Sequence, residues 1–277
     1  MKNLLKKVYR LNKRAYEEFR SKDLLHPKTG ISQRERKRLQ SYPAFTEGIT
    51  NIFGKPFYFT DAVGFLHSLD EIFEDEIYKF TSDKENPYII DCGANIGLSI
   101  LYFKKLYPKS KIICFEPDEN TFNILKKNTL EYRDTVVVHK EAVWIENTDL
   151  TFYSEGSLAG STVVDFSNKN NKTTVKAIDF KKYLDKEIDF LKIDIEGAEN
   201  QLIFEIDGHL ANVNKLFLEY HGIIGETQNL GKILNLLTDN GFEYYIRLAG
   251  ETIRYPFCDE KPLSFNQQLN ILCYRKK

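Results

Sequence analysis

The chain has 277 residues, which is long enough for one well-buried α/β domain and an appendage. Its content of 42% hydrophobic and 29% charged residues is ordinary for a soluble protein. We expect neither a membrane span nor a signal peptide, because no stretch has the required length of apolar residues. The net charge of −1 hides an asymmetry: residues 1–40 carry 13 Lys/Arg against 4 Asp/Glu, and the remainder carries 26 against 36. The four cysteines show no paired spacing, which favours a reduced, cytoplasmic protein.

The first forty residues predict two basic helices. Between positions 4 and 19, apolar residues recur at helical spacing and are surrounded by lysines and arginines. Such a helix either lies on an anionic membrane surface, at the inner face of the membrane, or packs against the main domain or a partner subunit; the second interpretation is favoured. A second helix is predicted to begin at Ser32, because Ser32 and Glu35 have the spacing of a capping box.

Residues 41–86 are rich in aromatic side chains. A hairpin is predicted over residues 52–60, with its turn at Gly54 and Lys55, and a helix is predicted over residues 68–80. We expect residues 1–85 to form an N-terminal extension that covers the mouth of an active site or mediates formation of a homodimer. Ordinary core packing explains the same aromatic residues equally well.

From residue 88 onwards, strand and helix patterns alternate. Residues 86–277 therefore predict a doubly wound, mostly parallel sheet that binds ligands at the carboxyl ends of its strands. Alternating patterns at 150–153 and 173–178, joined through an Asn/Lys-rich loop at 167–172, predict a β excursion after the third strand. The main series has strands at 88–92, 111–116, 135–139, 188–194 and 214–220, helices at 95–107, 118–130, 197–206 and 226–240, and closing strands at 242–248 and 267–275.

The turn after the first of these strands predicts a nucleotide-type site. Gly93 can adopt a backbone conformation denied to other residues, and Gly97 lets the helix and a ligand approach closely. Glu116 ends the next apolar run, where a carboxylate holds ribose hydroxyls in such sites. A dinucleotide site requires a glycine at the position of Asn95, so the spacing favours a ligand without a pyrophosphate.

Three segments, at 91–97, 115–117 and 191–199, follow one another in a recognisable order. Together they resemble the FkbM family of S-adenosylmethionine-dependent methyltransferases, and the resemblance covers residues 86–275. It implies a Rossmann-like sheet of seven strands, in which the final strand runs antiparallel between its neighbours. It also implies S-adenosylmethionine as the cofactor.

The resemblance further implies which residues hold S-adenosylmethionine. Glu116 would bind the ribose, Pro117 would shape the pocket wall, and Glu141 or the backbone of Ala142 would meet the adenine. In an alternative interpretation, Glu141 is a surface carboxylate. The residues that would surround the amino-acid portion and the sulfonium are Asp91, Gly93, Ala94, Asn95 and Gly97.

The acceptor of the methyl group is expected beyond the fourth and fifth strands. Period-two alternation places Lys192, Asp194 and Glu196 on one side of the fourth strand. His221 is the first candidate for a general base, because its ordinary pKa lies close to neutral, and Asp194 is the second. Lys192 either belongs to this catalytic set or forms an internal ion pair with Asp194.

A divalent metal ion is a further prediction at the same strand ends. Asp194, Glu219 and His221 could present oxygen and imidazole ligands to an ion that orients the acceptor hydroxyl and lowers its pKa. The small, hydroxyl-bearing residues at 154–162 are expected to border the same pocket, although a flexible turn explains them too.

The leading prediction is therefore an O-methyltransferase acting on a hydroxyl of a sugar, a glycan or another polyhydroxylated acceptor. The alternatives are a nicotinamide-dependent oxidoreductase, against which the missing glycine argues, and a non-catalytic adaptor at the membrane surface that keeps the fold. No specific nucleic-acid partner is expected, because the body of the chain is net acidic and lacks the Asn-Pro-Pro-Tyr type of motif used for flipped bases.

Overall fold

A computed structural model describes residues 23–154, 160–161, 172–250, 252–262 and 265–275. The chain divides into two compact units, Met1–Ile77 and Tyr78–Lys277. The predicted basic helix at 4–19 and most of the predicted loops at 154–162 and 167–172 lie outside the described residues. Among the helices of the described part, none is long and apolar enough to cross a membrane. The role expected for residues 1–85 stays a prediction.

The second of the predicted basic helices is present in the first unit as α1 (Gln33–Gln40). The Ser32 hydroxyl accepts a hydrogen bond from the backbone N–H of Glu35 at 3.1 Å, which confirms the predicted cap. The Glu35 carboxylate accepts hydrogen bonds from Arg38 and, at 2.7 Å, from the hydroxyl of Thr50. The helix is thereby tied to the hairpin that follows it.

A hairpin is present, but it begins at residue 48 and not at residue 52 as predicted: β1 (Gly48–Ile52) and β2 (Lys55–Phe59) pair antiparallel. Its turn lies at Phe53 and Gly54, one residue earlier than predicted, and both residues have positive φ angles.

The helix predicted over residues 68–80 was wrong in its bounds. Helix α2 (Ala62–Leu69) begins at Asp61, whose carboxylate caps the first turn, and it continues as a π-helical turn over Asp70–Glu74. The side chain of Phe80 is buried although it belongs to no helix. The apolar residues over the predicted range 68–80 therefore recur at helical spacing because they are buried, and not because the whole range is a helix.

The second unit is built on a seven-stranded sheet, which confirms the predicted Rossmann-like, mostly parallel fold. In their order across the sheet, the strands are β12 (Phe242–Gly250), β13 (Phe265–Arg275), β11 (Lys215–Ile223), β10 (Phe190–Ile193), β3 (Tyr88–Cys92), β4 (Lys111–Phe115) and β5 (Val136–His139). The five strands from β11 to β5 are parallel, whereas β13 is antiparallel to both of its neighbours, as the family resemblance implies.

The connecting helices lie within the ranges predicted from the sequence. Asp118 caps the second of them, because its carboxylate accepts the N–H of Thr121 at 2.9 Å. These helices are α3 (Leu98–Leu106), α4 (Glu119–Thr129), α5 (Glu199–Glu205) and α6 (Leu230–Asp239).

A smaller sheet confirms the predicted β excursion after the third strand. Its strands are β6 (Ala142–Trp144), β7 (Thr148–Ser154), β8 (Gly160–Ser161) and β9 (Lys172–Asp179). They pair in the order β6, β9, β7, β8. The sequence did not predict β6 and β8, because three and two residues are too few to show a period.

Strand β3 lies between β4 and β10 and brings the predicted motifs together. In this register, Asp91 of β3 is the partner of Lys192 of β10 on one side and of Cys114 of β4 on the other. Because the three strands are parallel, their carboxyl ends meet at one edge of the sheet.

Candidate active site

The turn that follows β3 is closed by backbone hydrogen bonds. The N–H groups of Gly93 and Ala94 donate to the carbonyl oxygen of Phe115 at 3.1 and 2.9 Å. Gly93 has a φ angle of +83°, and a Cβ atom there would lie 1.9 Å from the carbonyl oxygen of Asp194. Glycine is therefore required at this position, because the ends of β3 and β10 leave no room for a side chain.

Asn95 and Gly97 complete the turn in left-handed conformations. Asn95 has a φ angle of +48°, a region that asparagine tolerates better than most residues, and its Oδ1 accepts the N–H of Ile96 at 2.7 Å. At Gly97, with a φ angle of +92°, a Cβ atom would lie 2.8 Å from Leu125 Cδ1. Glycine thus lets α3 begin directly against α4.

Glu116 is fixed at the carboxyl end of β4 by two backbone donors. Its Oε2 accepts the N–H of Asn95 and its Oε1 accepts the N–H of Asp118, both at 3.0 Å. Burial raises the pKa of Glu116 to about 8, although the two N–H donors act in the opposite direction. The predicted ribose ligand is therefore a buried carboxyl group held between two turns.

A buried cluster of charges lies beneath the glycine turn. Lys192 Nζ lies 3.2 Å from both Asp91 Oδ1 and Asp194 Oδ2, and it donates to the carbonyl oxygen of Gly93 at 2.8 Å. Asp91 Oδ2 accepts a hydrogen bond from the hydroxyl of Ser99 at 2.5 Å. The internal ion pair between Lys192 and Asp194, one of the two interpretations drawn from the sequence, is therefore present, and it extends to Asp91.

The carboxylates of this cluster keep Lys192 charged. Burial acts to lower the pKa of Lys192, but Asp194 and Asp91 together raise it well above its ordinary value. At neutral pH, Lys192 is therefore a fixed cation that compensates the carboxylate of Asp91 on β3 and that of Asp194, which directly follows β10. A lysine in this state does not accept a proton.

His221 on β11 is fully buried and is surrounded by carboxylates. Its Nδ1 lies 3.0 Å from Glu199 Oε1, which also accepts the backbone N–H of His221 at 3.0 Å. On the other side of the ring, Nε2 lies 3.4 Å from Glu196 Oε2 and 3.6 Å from Glu219 Oε1. Gln268 of β13 donates to Glu219 Oε1 at 2.7 Å.

His221 does not keep the nearly neutral pKa that is ordinary for histidine. Burial acts to lower the pKa of His221, but Glu199, Glu196 and Glu219 raise it to about 10. The ring is an imidazolium at neutral pH, and an imidazolium has no free nitrogen with which to accept a proton. The assignment of His221 as the base stays a prediction, and its protonation state argues against it.

Glu196 reaches His221 from a turn and not from the strand. Strand β10 ends at Ile193, and Glu196 has a φ angle of +54°. Sequence reasoning missed Glu199, the buried first residue of α5, whose Oε2 accepts the N–H of Gly197 at 2.8 Å. A signal for Glu199 was present in the sequence: it is an acidic residue at the start of a predicted helix, where negative charge is stabilising, and it lies three positions after Glu196.

The residues predicted for the adenine lie beyond Glu116 along the same edge. The backbone N–H of Glu116 donates to the carbonyl oxygen of His139 at 3.0 Å, and His139 Nδ1 lies 3.3 Å from Glu141 Oε2. Ala142 begins β6, and Pro117 directly follows Glu116. The contacts of these residues with a cofactor stay predictions.

The predicted metal ligands are brought together. Asp194, Glu219 and His221 each offer one ligand atom, and these atoms all lie within 4.8 Å of one another. Glu199 lies at Nδ1 of His221, as carboxylates do beside histidines that bind a metal through Nε2. Against this, an imidazolium must lose its proton before it can bind an ion, and Lys192 already pairs with Asp194.

Asp194 joins the two halves of the site. Its carbonyl oxygen lies against Gly93, and its carboxylate lies between Lys192 and the His221 cluster. The glycine turn and the polar cluster around His221 thus share one edge of the seven-stranded sheet. In this sheet, the second strand from one end, β13, is antiparallel to both of its neighbours. This is the architecture of the Rossmann-like methyltransferases.

Comparison of sequences identifies the family within that class. The chain belongs to the FkbM methyltransferase family, because residues 91–244, more than half of the chain, match the family described as "Methyltransferase FkbM domain". This range contains all three of the segments that resemble the family.

Individual relatives are more distant. Methyltransferase 1 of Beauveria bassiana is 30% identical over 172 residues, which are 52% of this chain and 68% of that protein. The 2-O-methyltransferase NoeI of Sinorhizobium fredii is 23% identical over 158 residues, 50% of this chain and 65% of that protein. The crystal structure of Methyltransferase FkbM from Methylobacillus flagellatus matches with a TM-score of 0.44 and 18% identity, over 69% of this chain and 45% of that one. This chain therefore spans less than half of that solved protein.

Proposed function

We propose that this chain is an S-adenosylmethionine-dependent O-methyltransferase whose acceptor is a hydroxyl of a sugar, a glycan or another polyhydroxylated molecule. The observation that carries the proposal is the position of Glu116, whose two carboxyl oxygens are held by the N–H groups of Asn95 and Asp118 beside the glycine turn. A carboxyl group fixed at the end of the second strand suits the two hydroxyls of a ribose.

The glycine turn suits a nucleoside donor that lacks a pyrophosphate. Asn95 stands where a dinucleotide site needs a glycine, which argues against a nicotinamide cofactor. S-Adenosylmethionine supplies a methyl group that its sulfonium charge has already activated. The protein residues therefore contribute mainly by aligning the acceptor, which can lower the barrier by several kcal/mol.

In this proposal, Asp194 receives the proton of the acceptor hydroxyl. It lies next to the donor turn, and Lys192 at 3.2 Å stabilises its charge. His221 is already protonated at neutral pH, so it positions the side chains of Glu196 and Glu219 through its Nε2. These groups offer several hydrogen-bond acceptors to a polyhydroxylated molecule. The name of the Sinorhizobium relative describes 2-O-methyl transfer in that protein and supports a hydroxyl acceptor here.

Calorimetry tests the donor half of the proposal. We expect S-adenosylmethionine to bind the wild-type chain, and Glu116→Ala to lower the affinity at least about tenfold, because the ribose loses its charged partner. Glu119→Ala removes an exposed carboxylate three residues away and serves as the control. A chain that does not bind the donor, or that binds a nicotinamide dinucleotide and transfers hydride, would overturn the proposal.

Transfer of a labelled methyl group tests the acceptor half. A panel of glycans and polyhydroxylated natural products is offered to the wild-type chain and to Asp194→Asn. We expect labelled product from the wild type and a rate about 100-fold lower from the variant, as general bases contribute. Mass spectrometry locates the label, and a methyl group found on nitrogen or carbon contradicts O-methyl transfer.

A divalent cation is a second proposal for the same cluster. It is supported by the mutual distances of Asp194, Glu219 and His221 and by Glu199 at Nδ1 of the ring. The ion would orient the acceptor hydroxyl and lower its pKa. Activity is measured after removal of metals with EDTA and after addition of Mg²⁺ or Mn²⁺. Full activity in EDTA excludes the cation.

We further propose that residues 1–40 associate with an anionic membrane at its cytoplasmic face. The proposal is supported by their 13 Lys/Arg against 4 Asp/Glu. Sedimentation with phosphatidylserine vesicles compares the full chain with one that lacks residues 1–40, at low and at high salt. Equal sedimentation of both chains contradicts the proposal. Sedimentation without any donor binding would favour the non-catalytic adaptor.

A further inference from the structure

The seven-stranded sheet ends at β12, and this edge strand is exposed on both faces. Within the described part of the chain, its one neighbour in the sheet is β13. Every side chain from position 243 to position 248 is exposed, and two large apolar side chains, Tyr245 at 60% and Leu248 at 67%, are among them. The outer side of β12 therefore carries a row of backbone hydrogen-bonding groups that the sheet itself does not use.

Edge strands of soluble proteins are usually short, broken by a bulge, or protected by lysine or proline, because an open edge pairs readily with another strand. Strand β12 has nine residues and contains neither lysine nor proline. Its register with β13 is regular from Phe242 to Leu248, and the irregularity lies only beyond that point. Its two charged residues, Glu243 and Arg247, have opposite signs, so a long and regular edge of this kind favours pairing with a strand that complements these charges.

The sequence of β12 is complementary to itself when two copies run antiparallel. If Tyr245 lies opposite the partner's Tyr245, then Glu243 lies opposite the partner's Arg247, and Arg247 lies opposite the partner's Glu243. Directly opposed residues share a face, so one face carries two ion pairs on either side of a tyrosine pair. Shifting the register by one or two residues in either direction separates both pairs of charges.

The other face of the same register is apolar. Tyr244 lies opposite the partner's Ile246, and Ile246 lies opposite the partner's Tyr244. Pairs of an aromatic and a β-branched side chain are among those that stabilise antiparallel strands. Both faces of β12 therefore favour one antiparallel register, and that register has a two-fold axis.

We propose that two copies of this chain associate through β12, with the two-fold axis at Tyr245, so that their sheets join into one continuous sheet. A two-fold contact of this kind is closed, since it uses the same strand of both copies. It leaves the carboxyl ends of β3, β4, β10 and β11 outside the contact, because β13 separates β12 from these strands.

Sedimentation velocity on the full chain tests the contact. We expect a monomer–dimer equilibrium in the wild type. In Arg247→Glu, each of the two ion pairs across the symmetric contact becomes a pair of opposed glutamates. We expect this change to raise the dissociation constant of the dimer at least about tenfold. The double variant Glu243→Arg/Arg247→Glu restores both ion pairs in reverse and should restore the dimer. Lys232→Glu, an exposed charge reversal on α6, is the matched control.

Disulfide formation tests the register. Two cysteine variants are compared, Tyr245→Cys and Leu248→Cys. Both also carry Cys258→Ser, because Cys258 is an exposed native thiol that could form a disulfide itself. Under mild oxidation, Tyr245→Cys should form a disulfide-linked dimer, since opposed Cα atoms of an antiparallel pair lie about 4.5–5.5 Å apart. Leu248→Cys should not, because the two copies of position 248 would be six positions, or about 20 Å, apart.

Each outcome supports or overturns the proposal. Weakening by Arg247→Glu, recovery in the double variant and a disulfide at position 245 support it. A monomer at all concentrations overturns it. A dimer that is insensitive to Arg247→Glu, or one that is linked at position 248 and not at 245, also overturns it and places the contact elsewhere, as in the N-terminal extension.

Discussion

Single residues decide where the protons of this site reside. His221 has an ordinary pKa near 6.5, yet the carboxylates of Glu199, Glu196 and Glu219 outweigh its burial and raise the pKa to about 10. The residue type alone therefore suggested a base, whereas its neighbours make it a cation. No pattern in the sequence shows that three carboxylates from a turn, a helix and a strand will meet one ring.

The protonation of His221 depends most directly on Glu199. In Glu199→Gln, the carboxylate that lies 3.0 Å from Nδ1 is lost while burial remains, so we expect the pKa of His221 to fall towards or below neutral. An NMR titration of the five histidine rings measures this shift. Glu205→Gln, an exposed change on the same helix, should leave the titration unchanged. A wild-type His221 that titrates near pH 6.5 would show that the ring is not a fixed cation.

The same shift predicts how stability depends on pH. A histidine whose folded pKa is raised contributes stability that is fully present below its unfolded pKa of about 6.5 and is lost as the pH rises towards 10. We therefore expect the free energy of unfolding of the wild type to fall between pH 7 and pH 10 more steeply than that of His221→Gln. Urea titrations at several pH values measure the difference, and parallel curves would contradict the assignment.

Glu116 should make the affinity for the donor depend on pH. Burial raises its pKa to about 8, and ribose hydroxyls that donate to it favour its ionised form. Below pH 8, binding must therefore release a proton, so the affinity for S-adenosylmethionine should rise by up to about tenfold per pH unit between pH 6 and pH 8 and then level off. Calorimetry in buffers of different ionisation enthalpy detects the proton. Glu116→Gln should remove both the slope and the proton release.

At the scale of elements, hydrophobic periodicity predicted the parallel strands and their helices to within a few residues, because each is buried in a regular pattern. The predicted strand at 188–194 is shorter in the structure, Phe190–Ile193, and the polar residues that follow it belong to a turn. The helix predicted at 68–80 failed for a related reason, since buried residues in a coil mimicked a helical face. Short elements such as β6 carry too few residues to show any period.

The glycine turn is the element whose prediction can be tested most sharply. A side chain at Gly93 meets the carbonyl oxygen of Asp194 at 1.9 Å, whereas Gly225, with the same φ angle of +83°, has no atom within 4 Å of a Cβ position. Gly225→Ala should therefore cost only the left-handed backbone conformation, about 1–2 kcal/mol. Gly93→Ala should cost about 3 kcal/mol or more, because β3 and β10 must also separate. Equal changes in the free energy of unfolding would show that the close approach is absent.

At the scale of the whole molecule, the sequence motifs predicted where the site lies but not how its halves are connected. The three segments that resemble the FkbM family fall at neighbouring strand ends, as a doubly wound sheet requires. The connection between them is Lys192, which pairs with Asp91 on β3 and with Asp194 just after β10, and sequence spacing suggested only the second of these pairs. The contact between Lys192 and Asp91 depends on the pairing of β10 with β3, two strands that lie about 100 positions apart in the sequence, and spacing within one segment does not show that pairing.

This connection predicts that two buried lysines of the chain behave differently. Lys192→Met leaves Asp91 fully buried without its cation, which should cost about 3–5 kcal/mol of unfolding free energy. Lys104 is also buried but donates to the Ser110 carbonyl oxygen and the Thr135 hydroxyl, and burial lowers its pKa. Lys104→Met, the matched control, should cost less, because no buried carboxylate loses its charge partner.

The double variant Lys192→Met/Asp91→Asn separates lost charge compensation from lost packing. If the isolated carboxylate causes the instability, neutralising Asp91 should recover part of the lost free energy, and the two changes will be non-additive in urea titrations. The affinity for S-adenosylmethionine should also fall in Lys192→Met and recover in part in the double variant. The reason is that Lys192 donates to the Gly93 carbonyl oxygen at 2.8 Å and thereby holds the glycine turn in place. Additive effects of the two substitutions would mean that Lys192 does not couple the donor strand to the acceptor strand.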